Sequence, residues 1–339
     1  MKLKSLMNDF IQNYLDENAI KFEDWNISMN NQDGFGDYSS NIALKLTKQL
    51  KQSPISIAES IVDHNNPFSD TFTLSASHPG FVNFHIADNH YHQMVNKINE
   101  EKENFGKKKK QNKSANVEFV SCNPTGPLTV GHGRQAILGD MVSNILTWNG
   151  YDVSREYYYN DAGKQMRVLA ESCYAKYAQQ IGLKVSTPEN GYVGKYLDDI
   201  ALKIIDKYGK NLKSDNKIFR DFTEKEIFSN IKNTLDSIGI KFDIFTKEGS
   251  FYDNGSIDNV LKTLKEKDLS YEKDGAVWFK TSSLGKEEDK VLVKSSGEPT
   301  YRLPDIAYHA DKVDRGFDLI VDIFGADHID TYPDVILGL

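Results

Sequence analysis

The run Val117–Asp140, VEFVSCNPTGPLTVGHGRQAILGD, decides the fold. A short apolar strand (Val117, Phe119, Val120) enters a turn rich in proline and glycine (Pro124, Gly126, Pro127). The turn ends in Gly131-His132-Gly133 and opens a helix, whose apolar face is predicted to be Ile137, Leu138, Met141, Val142, Ile145 and Leu146. Gly150 stops that helix, and Tyr151–Tyr158 reads as a second strand. The result is one strand–helix–strand unit of a parallel sheet. Its glycine-rich turn builds an anion site, because backbone N–H groups and the helix dipole favour negative charge there and glycine lets a phosphate come close. His132 adds a side-chain donor at that spot.

Composition bounds what can surround this unit. The chain has 339 residues, enough for two or three domains and a sizeable core. No stretch approaches 18 apolar residues, so no membrane span is predicted. The N-terminal segment reads as an amphipathic helix rather than a signal peptide. Two cysteines, Cys122 and Cys173, are too few for a disulfide framework or a zinc site, and a reducing cytoplasm is expected. Net charge is −8, and neither the first 113 residues nor the rest is basic. Any RNA contact must therefore use local positive patches and shape rather than the global field.

Outward from the central run, residues 1–105 read as a separate α+β domain. Leu3, Leu6, Phe10, Ile11, Tyr14 and Leu15 recur at helical spacing. Helices are predicted over Ile42–Leu50 and Pro54–Val62, and strands over Phe72–Ala76 and Phe81–Ile86. A linker follows at 106–113, where Lys107–Lys110 and Lys113 are either solvated charges or phosphate contacts. Beyond the second strand, helical stripes follow through Met166–Ile181 and Val193–Tyr208. A capping box at Thr223–Glu226 is expected to open a third helix, and Ser256 a fourth. Ala276–Lys280 and Val291–Lys294 read as paired strands. The whole segment of about 165–295 is taken as a helical insertion dividing the catalytic domain, 114–339. Pro304–Val313 reads as a helix. Phe317–Phe324 reads as an apolar strand buried in a parallel sheet, ending in Gly325-Ala326-Asp327-His328 at a carboxyl-end loop.

The central run resembles the class I aminoacyl-tRNA synthetases, and within them the arginyl enzymes. The class signature His-Ile-Gly-His corresponds to Thr129-Val130-Gly131-His132. The flanking VEFVSCNPTGPL, YYYNDAGKQM (Tyr157–Met166) and DIAYHADK (Asp305–Lys312) are specifically similar to the arginyl enzymes. The first signature position departs from the pattern: Thr129 can donate a hydroxyl to a phosphate but cannot carry positive charge.

The resemblance implies an α/β, Rossmann-like parallel-sheet catalytic domain with an N-terminal domain that contacts the tRNA elbow. It implies activation of arginine by ATP, with Mg2+ carried by the nucleotide, and transfer of the arginyl group to tRNA(Arg). The substrate carboxylate is the nucleophile, so catalysis is positioning and charge stabilisation. No protein-bound metal or organic cofactor is expected, and a monomer is. Thr129, Gly131 and His132 are the implied catalytic residues. Together with Gly133, Gly325, Asp327 and His328 they are the implied ATP contacts, although His328 has helix capping as its alternative. Glu118, Ser121, Asn123, Tyr301 and Asp305 are implied for arginine, since a guanidinium pairs with carboxylates. Asn160, Asp161 and Gln165 are candidates for the cleft or the tRNA acceptor end.

Only eleven residues follow His328. A second class signature, Lys-Met-Ser-Lys-Ser or an equivalent, and the helical anticodon-binding domain are not found in the chain. Lys294-Ser295-Ser296-Gly297 is no obvious substitute. The expectation is a piece of a longer enzyme that aminoacylates little or not at all by itself. Two other readings stand beside it: a non-catalytic tRNA-binding fragment, and a related nucleotidyltransferase that adenylates another carboxylate.

Overall fold

The computed structural model describes residues 2–31, 34–161 and 163–339. The chain forms two compact units, residues 1–106 and 107–339. In the first, helix α1 (Lys2–Glu17) is followed by strands β1 (Ile27–Met29) and β2 (Tyr38–Ser40). Helices α2 (Ile42–Leu50) and α3 (Pro54–Val62), strands β3 (Phe72–Ser77) and β4 (Phe81–Ile86), and helix α4 (Asp88–Glu101) complete it. The strands form an antiparallel sheet in the order β1-β2-β4-β3. Its core gathers Phe10, Ile11 and Leu15 of α1 with Leu46, Ile57, Phe72 and Phe84. The helical spacing of apolar residues in α1 therefore marks its buried stripe.

The second unit begins with β5 (Lys113–Phe119), α5 (Val130–Trp148) and β6 (Tyr151–Tyr159). Helices α6 (Gly163–Gln180), α7 (Lys195–Tyr208) and α8 (Ile218–Ser237) lead to β7 (Ile244–Lys247), α9 (Gly249–Asp253) and α10 (Ser256–Glu266). An antiparallel sheet of β8 (Ser270–Lys273), β9 (Ala276–Phe279) and β10 (Lys290–Val293) follows. Helix α11 (Arg302–Asp314), strand β11 (Leu319–Ile323) and helix α12 (Tyr332–Gly338) end the chain. The main sheet is parallel, in the order β11-β5-β6-β7. The expected α/β architecture is present, and β7, from within the segment 165–295, is one of the sheet's own strands. Among the described residues no helix is long and apolar enough to cross a membrane.

Alternation along the strands separates two faces. Val117, Phe119, Tyr157 and Tyr159 enter an apolar core with α6, α7 and α8. The opposite face carries a row of carboxylates in register: Asp322 pairs with Glu118, and Glu118 with Glu156, on three neighbouring strands. Like charges side by side are unfavourable, and α11 supplies the compensation. Lys312 binds both Glu118 and Asp322, and Arg315 binds Glu156 at 2.9 Å.

Three sequence expectations are corrected here. The predicted apolar face of α5 splits: Val142 and Leu146 pack on the core, whereas Ile137, Leu138, Met141 and Ile145 are each more than half exposed. The small residues Ala136, Gly139 and Ser143 face inward instead, because α5 lies too close to β5 for large ones. Thr223 opens no helix. It lies buried inside α8, which starts earlier, where Asn216 Oδ1 accepts from the N–H of Ile218 at 2.9 Å. Finally, β11 is only partly buried and pairs with β5 alone among the described strands, so it is not a fully enclosed strand.

Candidate functional site

Parallel sheets place ligands outside the carboxyl ends of their strands, and several of the sequence-predicted residues lie there. The chain leaves β5 through two non-glycine residues in the left-handed region, Val120 (φ 68°) and Ser121 (φ 39°). Such backbone persists only where neighbours over-determine it. Here Ser121 Oγ accepts from the N–H of Tyr158 at 3.1 Å. Asn123 Oδ1 accepts from the N–H of Asn160 at 2.9 Å, and Asn123 Nδ2 donates to Gln165 Oε1 at 2.7 Å. The structure thus joins Asn123, Asn160 and Gln165 into one polar hub between β5 and β6, while Ser121 is bound to the backbone of β6 at Tyr158. Asp161 turns elsewhere. It accepts from the N–H of Gly249 at 3.0 Å, pairs with Lys247 at 3.3 Å, and lines a cavity of about 600 Å³ with Arg220, Glu224 and Lys232.

The signature segment forms the N-terminus of α5. Thr129 is its cap, with Oγ accepting from the N–H of His132 at 3.4 Å, while the N–H of Thr129 donates to His132 Nδ1 at 3.1 Å. This reciprocal capping box satisfies two otherwise orphaned donors. It also assigns the imidazole: Nδ1 is an acceptor, so in the neutral ring the proton sits on Nε2. Gly131 and Gly133 follow in the first turn. A Cβ at Gly133 would meet no atom within 4 Å, so its bareness is not a packing requirement of the chain.

A cluster of acids lies across the sheet. Asp305, in the first turn of α11, is partly buried, and burial pushes its pKa up to about 7. His309 and Lys312 oppose that rise, while Glu248 and Glu118 add to it. Glu248, between β7 and α9, is also raised to about 7 by burial, with a hydrogen bond from Tyr158 pulling it back. Neither Asp305 nor Glu248 has a salt-bridge partner among the described residues, and the donors on Glu248 are the neutral Tyr158 and Asn160. Tyr301 lies one turn before Asp305 and is 65% exposed.

Glu118 stands differently. It is 1% exposed, and its carboxylate is taken by Lys312, itself fully buried. Lys312 also holds Asp322, which receives Tyr332 Oη at 2.9 Å and faces His309 Nε2 at 3.5 Å. Burial alone would raise Asp322; His309 and Lys312 hold it well below the usual carboxylate range. Single ligand atoms of Glu118, His309 and Asp322 come within 4.8 Å of one another, but the Lys312 ammonium already supplies the cation there.

At the end of β11, Gly325 starts a short 3₁₀ turn, Ala326–His328, and His328 stacks on Phe324 with ring centroids 5.0 Å apart. The side chain of Asp327 lies outside the described residues. Sequence reasoning missed Glu248, Tyr158 and the Lys312 network. Lys312 stands inside the quoted DIAYHADK, and Tyr158 inside YYYNDAGKQM, but nothing local in the sequence marks Glu248.

Comparison with known proteins agrees along the chain. The family described as tRNA synthetases class I (R), catalytic domain, matches residues 94–326, and the arginyl tRNA synthetase N-terminal domain matches residues 1–86. An arginine–tRNA ligase from Desulfotalea psychrophila is 47% identical over 93% of the chain and 58% of its own length. One from Chlorobaculum parvum is 42% identical over 99% of the chain and 63% of its own length. The chain thus spans about three fifths of the length of these curated relatives. A solved structure from Campylobacter jejuni, assigned as an arginyl tRNA synthetase, superposes with a TM-score of 0.67 at 34% identity, covering 73% of this chain and 55% of that one. The Thermus thermophilus arginyl-tRNA synthetase shares the fold, with a TM-score of 0.56 at 21% identity over 91% of this chain and 53% of its own.

Proposed function

The chain belongs to the class I arginyl-tRNA synthetases, and from that premise we propose that the carboxyl-end cleft of its parallel sheet joins arginine and ATP as arginyl-adenylate, for transfer of the arginyl group to tRNA(Arg). The arginine carboxylate attacks the α-phosphorus, the bond to the β-phosphate oxygen breaks, and pyrophosphate leaves. No protein nucleophile takes part. The protein's share is to hold both reactants and stabilise developing charge. The N–H groups at the start of α5 and the Nε2–H of His132 face the phosphates, and Thr129 serves them indirectly by fixing the imidazole. Gly131 and Gly133 leave room for the nucleotide, whose adenosine lies toward Gly325, Asp327 and His328. Mg2+ carried by the nucleotide would neutralise phosphate charge.

Asn123, held by Gln165, takes the amino acid's polar head together with Ser121. Asp305 and Glu248 take its guanidinium, with Tyr301 at the mouth. Glu118 acts from behind, through Lys312, rather than on the substrate directly. The first unit and the lysines Lys107–Lys110 contact the tRNA.

One observation carries this reading. Asp305 and Glu248 are two carboxylates both raised toward neutrality by burial, Glu248 adding to the rise of Asp305, and neither has a salt-bridge partner among the described residues. Such a pair is stabilised by an incoming guanidinium, whose planar fork serves two carboxylates better than an ammonium does. The test is calorimetry with L-arginine, L-lysine and ATP. Asp305→Asn should weaken arginine binding by about 3–5 kcal/mol and leave ATP binding alone. Unchanged arginine binding would remove Asp305 from the pocket.

A further inference from the structure

Each oxygen of the Glu248 carboxylate has its own donor. Tyr158 Oη donates to Oε2 at 3.0 Å, and Asn160 Nδ2 donates to Oε1 at 2.7 Å. Glu248 itself is 5% exposed and is anchored through its N–H to Tyr159 O at 3.0 Å. Tyr158 has little freedom. Its ring stacks on Tyr308 with centroids 4.1 Å apart and planes within 7°, and its N–H is bound to Ser121 Oγ. The Lys312 ammonium lies 4.4 Å from the centre of the Tyr308 ring on which Tyr158 rests. The phenol is therefore aimed by the same framework that neutralises the carboxylate row.

We propose that Tyr158 is a positioning residue that orients the Glu248 carboxylate for the guanidinium and favours its ionised form, and so sets the strength of arginine binding below neutral pH. This rests on the reading of Glu248 as a guanidinium partner. Asn160 and Asp161 face Glu248 from the end of β6, Tyr252 from α9 and Asp305 from α11. None of these is a cation, and the two acids disfavour a second negative charge. Burial works in the same direction. The O–H of Tyr158 and the amide of Asn160 donate to the carboxylate and favour the ionised form, and the Tyr158 bond is the one that lowers the Glu248 pKa against burial. Removing it leaves the stack in place and shifts the balance toward the protonated acid, which cannot pair with a guanidinium.

The experiment is L-arginine calorimetry on the whole 339-residue chain, at pH 6.5 and 8.5, for the parent, Tyr158→Phe and Glu248→Gln, with ATP binding and thermal unfolding followed beside it. Tyr158→Phe should bind arginine about tenfold more weakly at pH 6.5 and within about twofold of the parent at pH 8.5, where Glu248 ionises anyway. Its ATP binding should match the parent at both. Glu248→Gln should be weak at both pH values. A loss in Tyr158→Phe that is equal at the two pH values would mark a packing effect and overturn the assignment. So would unchanged binding in Tyr158→Phe while Glu248→Gln is impaired. Parent-like arginine binding by Glu248→Gln would overturn the assignment and the reading of Glu248 beneath it.

Discussion

A Cβ placed on Gly139 would lie 2.0 Å from Cγ of Phe119. Helix α5 thus touches strand β5 through bare backbone, and this closeness sets the signature turn against the end of the strand. Phe119 cannot simply retreat, because its ring packs on Phe242 with centroids 4.4 Å apart. Gly→Ala in the middle of a helix normally stabilises by about 1 kcal/mol. Here Gly139→Ala should instead destabilise by about 1–3 kcal/mol through overpacking. Urea unfolding decides the sign, and a variant as stable as the parent would show that α5 can shift freely.

Lys312→Met should be among the most damaging single changes. It leaves Glu118 and Asp322 buried without their cation, a loss of about 3–5 kcal/mol. Adding Glu118→Gln removes one of the stranded charges, so the double variant should be more stable than the sum of the single changes. Strict additivity in denaturant melts would mean that the two residues do not act as a pair.

The raised carboxyls make a pH prediction with a definite sign. Asp305 and Glu248 hold protons up to about pH 7 when folded, but lose them near pH 4 when unfolded. Between those values the folded chain binds more protons, so their contribution to stability falls as pH rises. In the proposed function the guanidinium of arginine relieves the resulting repulsion. The rise in melting temperature caused by L-arginine, over an L-lysine control, should be small at pH 5.5 and largest near pH 8. A larger rise at the acid end would contradict the assignment.

Thr129 offers a spectroscopic test. Long-range ¹⁵N NMR of His132 should find the neutral ring protonated at Nε2. Thr129→Ser keeps the cap and should keep that tautomer. Thr129→Ala loses the cap, with about 1 kcal/mol of helix stability, and should mix the two tautomers and weaken ATP binding. An Nδ1–H ring in the parent would exclude the capping box as the orienting device.

Local pattern made much of the fold legible. The spacing of Phe10, Ile11 and Leu15 marks a buried helical stripe because a helix in a small unit has few ways to hide apolar surface. The same reasoning misleads for α5, where close approach selects Ala136, Gly139 and Ser143 for the interior and leaves Ile137 and Met141 outside. Thr223 reads as a cap only while the preceding turn is taken as loop; the buried Phe219 already belongs to the helix. In the candidate site, the strand–turn–helix around His132 is visible in a single stretch. Asp305 was singled out only through the family resemblance. Glu248 and Lys312 were not singled out at all, since their environments are made by residues far away in sequence.

The bond between Lys312 and Glu118 spans 194 residues. During synthesis at about 5–20 residues per second, Glu118 emerges some 10–40 s before its cation exists. Throughout that interval the first strand of the catalytic sheet cannot bury its acidic face, and β11 has yet to arrive beside it. The amino-terminal unit, closed by its own contacts within residues 1–106, has no such wait. Translation therefore sets an order of availability: every contact partner within the amino-terminal unit is made early, whereas the acidic face of the parallel sheet gains its cation only when Lys312 is made.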